Sequence, residues 1–244
     1  MRKTLILTGA SRGIGRALAL ELAQAGYDLV LNARSEGPLK EVLEAVRALG
    51  ARAEAVAGSA GKAEVAEALV RKAEGLGGFY GYIHNAGVLH PGPLVYEMAE
   101  PLFLEVLEAN LLAGYQLARF AYPLLRPKGE GVAIYVGSGA AESNLPGIGA
   151  YAVAKAAEEH LARQLAAEVP EVACFVYRPG VVETEMQRQA REAQGSAAPV
   201  LHRVFRGYKE EGRLLSPKEA AQALVRLLPR ARQFHGKIAS WRDA

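Results

Sequence analysis

The chain has 244 residues and a mass of 26.0 kDa, with 50% hydrophobic and 23% charged residues, a balance that suits a globular protein with one sizeable core and excludes a disordered or fibrous one. A formal charge of +3 and a pI near 8.9 are mild, and no block of like charges occurs, so no extended nucleic-acid or membrane surface is indicated. No apolar stretch approaches the ~18 residues of a membrane span, and Leu5-Ile6-Leu7 is too short for a signal-peptide core.

From the N-terminus, short apolar runs alternate with longer stretches of helical period. Residues 4–8 predict a first strand, 15–25 a helix, 28–32 a strand, 38–49 a helix, 52–57 a strand and 63–76 a helix. Strands at 81–84, 131–137 and 171–177 follow, separated by helices at 99–125 and 151–168; a helix at 217–228 and a short strand at 237–240 end the series. Ser216-Pro217 with Glu219 reads as an N-cap, a first-turn proline and an acidic first turn. Most of the strands are continuously apolar, as in a parallel sheet covered on both faces. The expected fold is therefore α/β, a doubly wound parallel sheet of about seven strands with helices on both faces and no interdomain linker within residues 1–244. Residues 181–215 break the alternation and predict a substrate lid or a disordered loop. Cys174, the single cysteine, lies in an apolar run and reads as a buried strand thiol, which suits a cytoplasmic location.

Chemistry-bearing residues fall at the ends of these strands. Gly9, Ser11, Arg12, Gly13, Ile14 and Gly15 form a glycine loop between the first strand and the first helix, where small residues admit a pyrophosphate to unpaired helix amides. A tight turn without a ligand is the plain alternative. No Gly-Lys-Ser/Thr follows, so a P-loop is excluded. The second strand ends in Asn32-Ala33-Arg34-Ser35, with no acid to grip a ribose diol. Arg34 and Arg12 could instead pair with a 2'-phosphate, or be solvated surface charges. Tyr151 and Lys155, four apart, share one helix face, where an ammonium stabilises a phenolate. Such a spacing also occurs on solvated helix edges. His84, His90 and His202 do not form a ligand cluster, and no metal is expected.

The ordered set Thr8-Gly9-Ala10-Ser11-Arg12-Gly13-Ile14-Gly15, Asn85-Ala86-Gly87, Asn110, Ser138, Tyr151 with Lys155, and Pro179-Gly180 closely resembles that of the short-chain dehydrogenase/reductase family over essentially the whole chain. The resemblance implies a Rossmann-type NAD(P)-binding domain and an oxidoreductase that reduces a carbonyl to an alcohol. Asn85, Ala86 and Gly87 would lie against the adenosine half of the cofactor. Pro179 and Gly180 would pack on the nicotinamide, with the Val182 amide and the Thr184 hydroxyl at its carboxamide. Tyr151 would donate a proton as hydride leaves the nicotinamide, Ser138 would stabilise the oxygen, Lys155 would bind the ribose and acidify Tyr151, and Asn110 would hold a water linking Lys155 to solvent. With Arg12 and Arg34 the implied cofactor is NADP(H). Helices 99–125 and 151–168 are those through which relatives pair, so a homodimer or homotetramer is expected.

The chain also departs from the family pattern. Gly58-Ser59 stands where many members place an adenine-contacting Asp, and Asp-Gly-Gly, frequent near the end of 3-oxoacyl carrier-protein reductases, is missing. The segment Pro179-Gly180-Val181-Val182-Glu183-Thr184-Glu185-Met186 and the run from Tyr208 to Pro217 look similar to the sepiapterin reductase and benzil reductase branch. That likeness implies a bulky ketone or dicarbonyl substrate, with Ala140, Ala141, Leu145, Pro146, Ile148, Val181 and Met186 as candidate lining and Tyr96 or Phe205 as walls. A carrier-protein reductase and a non-catalytic NADPH sensor are the competing expectations.

Overall fold

The computed structural model describes residues 2–244. Seven parallel strands form one sheet in the order β3-β2-β1-β4-β5-β6-β7. They are β1 (Thr4–Thr8), β2 (Asp28–Ala33), β3 (Ala53–Ala57), β4 (Phe79–His84), β5 (Val132–Val136), β6 (Ala173–Arg178) and β7 (Ile238–Ser240). Every residue of β1, β2 and β5 is buried, which explains why the middles of these strands read as apolar runs instead of alternating. The edge strand β3 is only partly covered.

On one face lie α1 (Gly13–Gln24), α2 (Glu36–Ala48) and α9 (Pro217–Leu227), which share a core with Leu5, Leu7, Leu29 and Phe175. On the other lie α3 (Ala63–Leu76), α5 (Ala113–Leu125) and α6 (Gly149–Glu168), packed on Ile6, Val30, Tyr82 and Tyr135. This is the doubly wound sheet expected from the alternation. The order reverses between β1 and β4, so their C-terminal ends diverge into a crevice. The turns after β1, β4, β5 and β6 all open on that edge.

Two stretches differ from the expectation. Residues 99–125 do not form one continuous helix: α4 (Glu100–Leu107) passes through a π turn (Glu108–Leu112) into α5. The side chain of Asn110 donates to the carbonyl of Val106 at 2.8 Å and to that of Val88 at 2.9 Å, competing with the helix ladder at the widened turn. Residues 181–215 are not a disordered loop: they carry α7 (Glu185–Arg191) and α8 (Ala198–Glu210). Leu201 and Phe205, one turn apart, turn the apolar stripe of α8 towards Ile148 and Tyr151. The segment is tied down at its ends by the parallel bridge of Val182 with Leu215. The N-terminus of α9 is as expected: Ser216 accepts from the Glu219 amide at 3.2 Å and Glu219 accepts from the Ser216 amide at 2.8 Å, a capping box with Pro217 in the first turn.

Candidate functional site

A cavity of about 1030 Å³ opens along the C-terminal edge of the sheet, running from Arg34 at the end of β2 to Phe205 and Tyr208 on α8. It is lined by every sequence-predicted residue of the glycine loop, by Arg34, by Asn85, Ala86 and Gly87, and by Pro179, Gly180, Val182 and Thr184. Ser138, Tyr151 and Lys155 line it too. Asn110 does not. It is fully buried behind the wall, its Oδ1 without a hydrogen-bond partner among the described residues.

At the β1 end the backbone turns tightly. Gly9 has φ +65°, and a Cβ there would stand 2.8 Å from the Cα of Ala86; a Cβ on Gly15 would stand 2.0 Å from the Gly9 carbonyl oxygen. Only glycine fits either position. Helix α1 begins at Gly13 with no side-chain cap and no acid in its first turn, so its leading amides are free for an anionic ligand. Thr8 ties this loop to the turn after β4. Its Oγ1 accepts from the amides of Asn85 and Ala86, each at 3.1 Å, and Asn85 Nδ2 donates to the carbonyls of Thr8 and Gly9 at 3.1 and 3.3 Å. A long cavity with an uncapped helix start and a glycine cradle fits a dinucleotide.

Arg34, on the cavity at the end of β2, forms an ion pair with Glu105, and the other Glu105 oxygen meets His90 Nε2 at 2.7 Å. These contacts, His90 first and Arg34 second, hold the Glu105 carboxyl below its usual range. Ser59, in the place of the expected adenine-contacting acid, bonds to Glu108.

At the β5 end, Ser138 caps the short turn Gly139–Glu142, its Oγ accepting from the Ala140 amide at 3.1 Å. Its own amide donates to Glu159 at 3.1 Å. Glu159 is buried and also receives both arms of the Arg178 fork, at 2.9 and 2.6 Å, while Arg178 reaches Glu142 at 2.8 Å. This network locks the Ser138 turn to the end of β6, immediately before Pro179. Lys155 is buried, donating to the Val136 carbonyl at 2.9 Å and to Glu158 at 2.7 Å, with its nitrogen 5.8 Å from the centre of the Tyr151 ring. Tyr151, Ile148 and Ala150 belong to a small apolar cluster with Leu89, Val106 and Leu201, which fixes the N-terminal end of α6.

Ala140, Leu145, Ile148, Val181, Met186 and Phe205 line the cavity as expected. Tyr96 is 84% exposed and forms no wall. Sequence reasoning missed Trp241 and Tyr208, both on the cavity. Trp241 lies against Gly180, where a Cβ would meet the indole nitrogen at 2.7 Å. Only the pairing of β7 with β6 brings it there. Tyr208 follows Leu201 and Phe205 at helical spacing, and that stripe, with Pro199 at the helix start, was the available signal. His84 and Glu158, buried behind Lys155, were missed as well.

Among the described residues no helix is long and apolar enough to cross a membrane, and no group of three or more His, Cys, Asp or Glu side chains is placed to hold a metal ion. The family model for short chain dehydrogenases matches residues 3–195. An uncharacterized oxidoreductase of Saccharomyces cerevisiae is 34% identical over 93% of this chain and 90% of its own. An NADPH-dependent pterin aldehyde reductase of Arabidopsis thaliana is 31% identical over 75% of this chain and 76% of its own. A 3-oxoacyl-[acyl-carrier-protein] reductase of Pseudomonas aeruginosa is 33% identical over 80% of each. Among solved structures, a short-chain dehydrogenase/reductase of S. cerevisiae superposes with a TM-score of 0.87 at 30% identity, covering 99% of this chain and 96% of that one. An alcohol dehydrogenase of Thermococcus sibiricus complexed with 5-hydroxy-NADP gives 0.82 at 29% identity over 98% and 96%.

Proposed function

The chain belongs to the short-chain dehydrogenase family of oxidoreductases, and from that premise we propose that it is an NADPH-dependent reductase of bulky ketones or dicarbonyls. The observation that carries this reading is the placement of Ser138, Tyr151 and Lys155 on one cavity with an uncapped glycine-loop helix start. NADPH, when bound, supplies the hydride. The chain's own residues do the rest. The leading amides of α1 would hold the pyrophosphate, and Arg12 and Arg34 would take the 2'-phosphate. Ser138, held by Glu159, donates to the substrate oxygen where negative charge develops. Tyr151 gives that oxygen its proton, and Lys155 keeps the phenol oriented and within proton-transfer range. Asn110 shapes the π turn beside them.

NADPH is favoured because the end of β2, Asn32-Ala33-Arg34-Ser35, carries no acid and Arg34 faces the cavity. The NADPH-dependent pterin aldehyde reductase and the alcohol dehydrogenase bound to an NADP derivative support the same choice. Leu145, Ile148, Met186 and Phe205 give the far end an apolar lining suited to hydrophobic carbonyls. The similarity to carrier-protein reductases favours a second reading, reduction of an acyl thioester ketone. Assays of benzil, sepiapterin and an acetoacetyl thioester with NADPH and NADH separate them. Turnover of the first two with NADPH supports the proposal, whereas preference for the thioester or for NADH rejects it. Exposed Leu104, Leu112, Tyr115 and Val153 on α4 to α6 suit a homodimer or homotetramer.

A further inference from the structure

Behind Lys155 lies a chain of buried polar groups that the reaction as described does not use. Thr8, His84, Glu158 and the π-turn residue Asn110 are all fully buried. Their hydrogen positions follow from donor supply. Thr8 Oγ1 already accepts from two backbone amides, so its own hydrogen is left for His84 Nδ1, 3.0 Å away. Nδ1 is then the bare nitrogen and Nε2 carries the proton. Nε2 faces the Asn110 carbonyl at 3.3 Å and Glu158 Oε1 at 3.4 Å. Burial, then the nearby Lys155 charge, pushes His84 down to about 3, so the ring is neutral at working pH. Glu158 Oε1 thus lies beside a neutral N–H without a hydrogen bond to it, while its other oxygen takes the Lys155 ammonium at 2.7 Å.

A carboxylate in this position changes what Lys155 does. An ammonium alone stabilises a neighbouring phenolate; an ammonium closely paired with a buried carboxylate presents a much weaker field. Lys155 has three N–H groups. One goes to Val136 and one to Glu158, leaving one for the Tyr151 side. We infer that Glu158 is a positioning residue that, through Lys155, holds Tyr151 in its proton-bearing form and so biases the site towards carbonyl reduction over alcohol oxidation. The inference rests on the proposed role of Tyr151 as proton donor.

The charged and titratable groups facing Glu158 are Lys155 and Glu159 from its own helix, His84 from β4 and Tyr135 from β5. Of these only Lys155 is cationic. Burial pushes the Glu158 carboxyl up to about 7 against the pull of Lys155, and Lys155, penalised by burial itself, is raised overall by Glu158. The sign follows. As pH rises through neutrality Glu158 gains its charge, the net field on Tyr151 becomes less positive, and loss of the phenol proton is deferred to higher pH. Proton-donor capacity is thereby extended into the alkaline range.

The test is a carbon NMR titration of cofactor-free protein carrying 13Cζ-labelled tyrosine, with the Tyr151 signal assigned by its loss in Tyr151→Phe. In Glu158→Gln the Tyr151 midpoint is expected to fall, with the ionisation constant rising about tenfold or more. Glu158→Asp, which keeps the charge but withdraws it by a methylene, should shift it the same way by less, and serves if the Gln variant folds poorly. An unmoved midpoint in these variants overturns the inference. The basic limb of kcat/KM for reduction should move with the NMR midpoint. A shifted midpoint without turnover of any carbonyl would uphold the Glu158 coupling while rejecting the proposed reaction. Turnover with an unmoved midpoint would do the reverse.

Discussion

Arg34 is held by an acid in the structure. Its partner Glu105 is partly exposed, and a pair of this kind contributes only about 0.2–1 kcal/mol. Full charge-assisted bonds to a phosphate are stronger, about 1.5–3 kcal/mol. On the proposed assignment of NADPH, its 2'-phosphate would win the guanidinium from Glu105, at a small cost in affinity. Glu105→Gln should tighten NADPH binding by up to about fivefold and leave NADH nearly unchanged, as read by fluorescence titration of both cofactors. Arg34→Ala should weaken NADPH at least about tenfold and NADH little. Equal losses for both cofactors would show that Arg34 does not read the phosphate. Sequence reading found Arg34 because strand ends are legible. It missed Glu105, which lies 71 positions away and meets Arg34 only because the sheet places α4 beside the end of β2. Glu158 was overlooked for a related reason: a glutamate within a charged stretch of helix looks solvated until packing turns it inward beside His84.

Among the elements, strands and their caps carried the clearest signals. The continuous apolar runs at β1, β2 and β5 and the Ser216-Pro217-Glu219 start of α9 need no partner to be read. Ser216→Ala should lower stability by about 1 kcal/mol in denaturant melts with activity unchanged, because the cap lies outside the cavity. The π turn at Glu108–Leu112 had no local signature beyond an asparagine in an apolar helix; it depends on the Val88 carbonyl supplied from the β4 turn. Similarly, the Ser138 turn depends on β6 and α6 together. Glu159→Gln keeps the side-chain shape but removes the charge that Arg178 grips and weakens the acceptor for the Ser138 amide. It should reduce kcat more than it weakens NADPH binding, which turnover and cofactor titration measured together will report. A loss confined to NADPH affinity would place the effect in the turn before Pro179 instead.

For the molecule as a whole, topology makes distant motifs converge. The reversal of strand order between β1 and β4 brings the glycine loop, Asn85, Ala86, Gly87, Ser138, Tyr151, Lys155, Pro179, Gly180, Val182 and Thr184 onto one cavity; the alternation anticipated the sheet, and the family resemblance anticipated which residues would meet on it. The far end of the cavity was less legible, since α7 and α8 are short, charged elements whose order comes from packing on the cluster around Ile148 and Leu201. Trp241 reaches the cavity only through the last strand of the sheet. In the proposed reaction these parts together perform carbonyl reduction with Tyr151 as proton donor. The most direct measurement compares Tyr151→Phe with the unaltered protein, following carbonyl-dependent NADPH oxidation and NADPH affinity side by side. Turnover should fall by about 100-fold or more while the NADPH dissociation constant stays within about twofold. Retained turnover in Tyr151→Phe would contradict the proposed reaction.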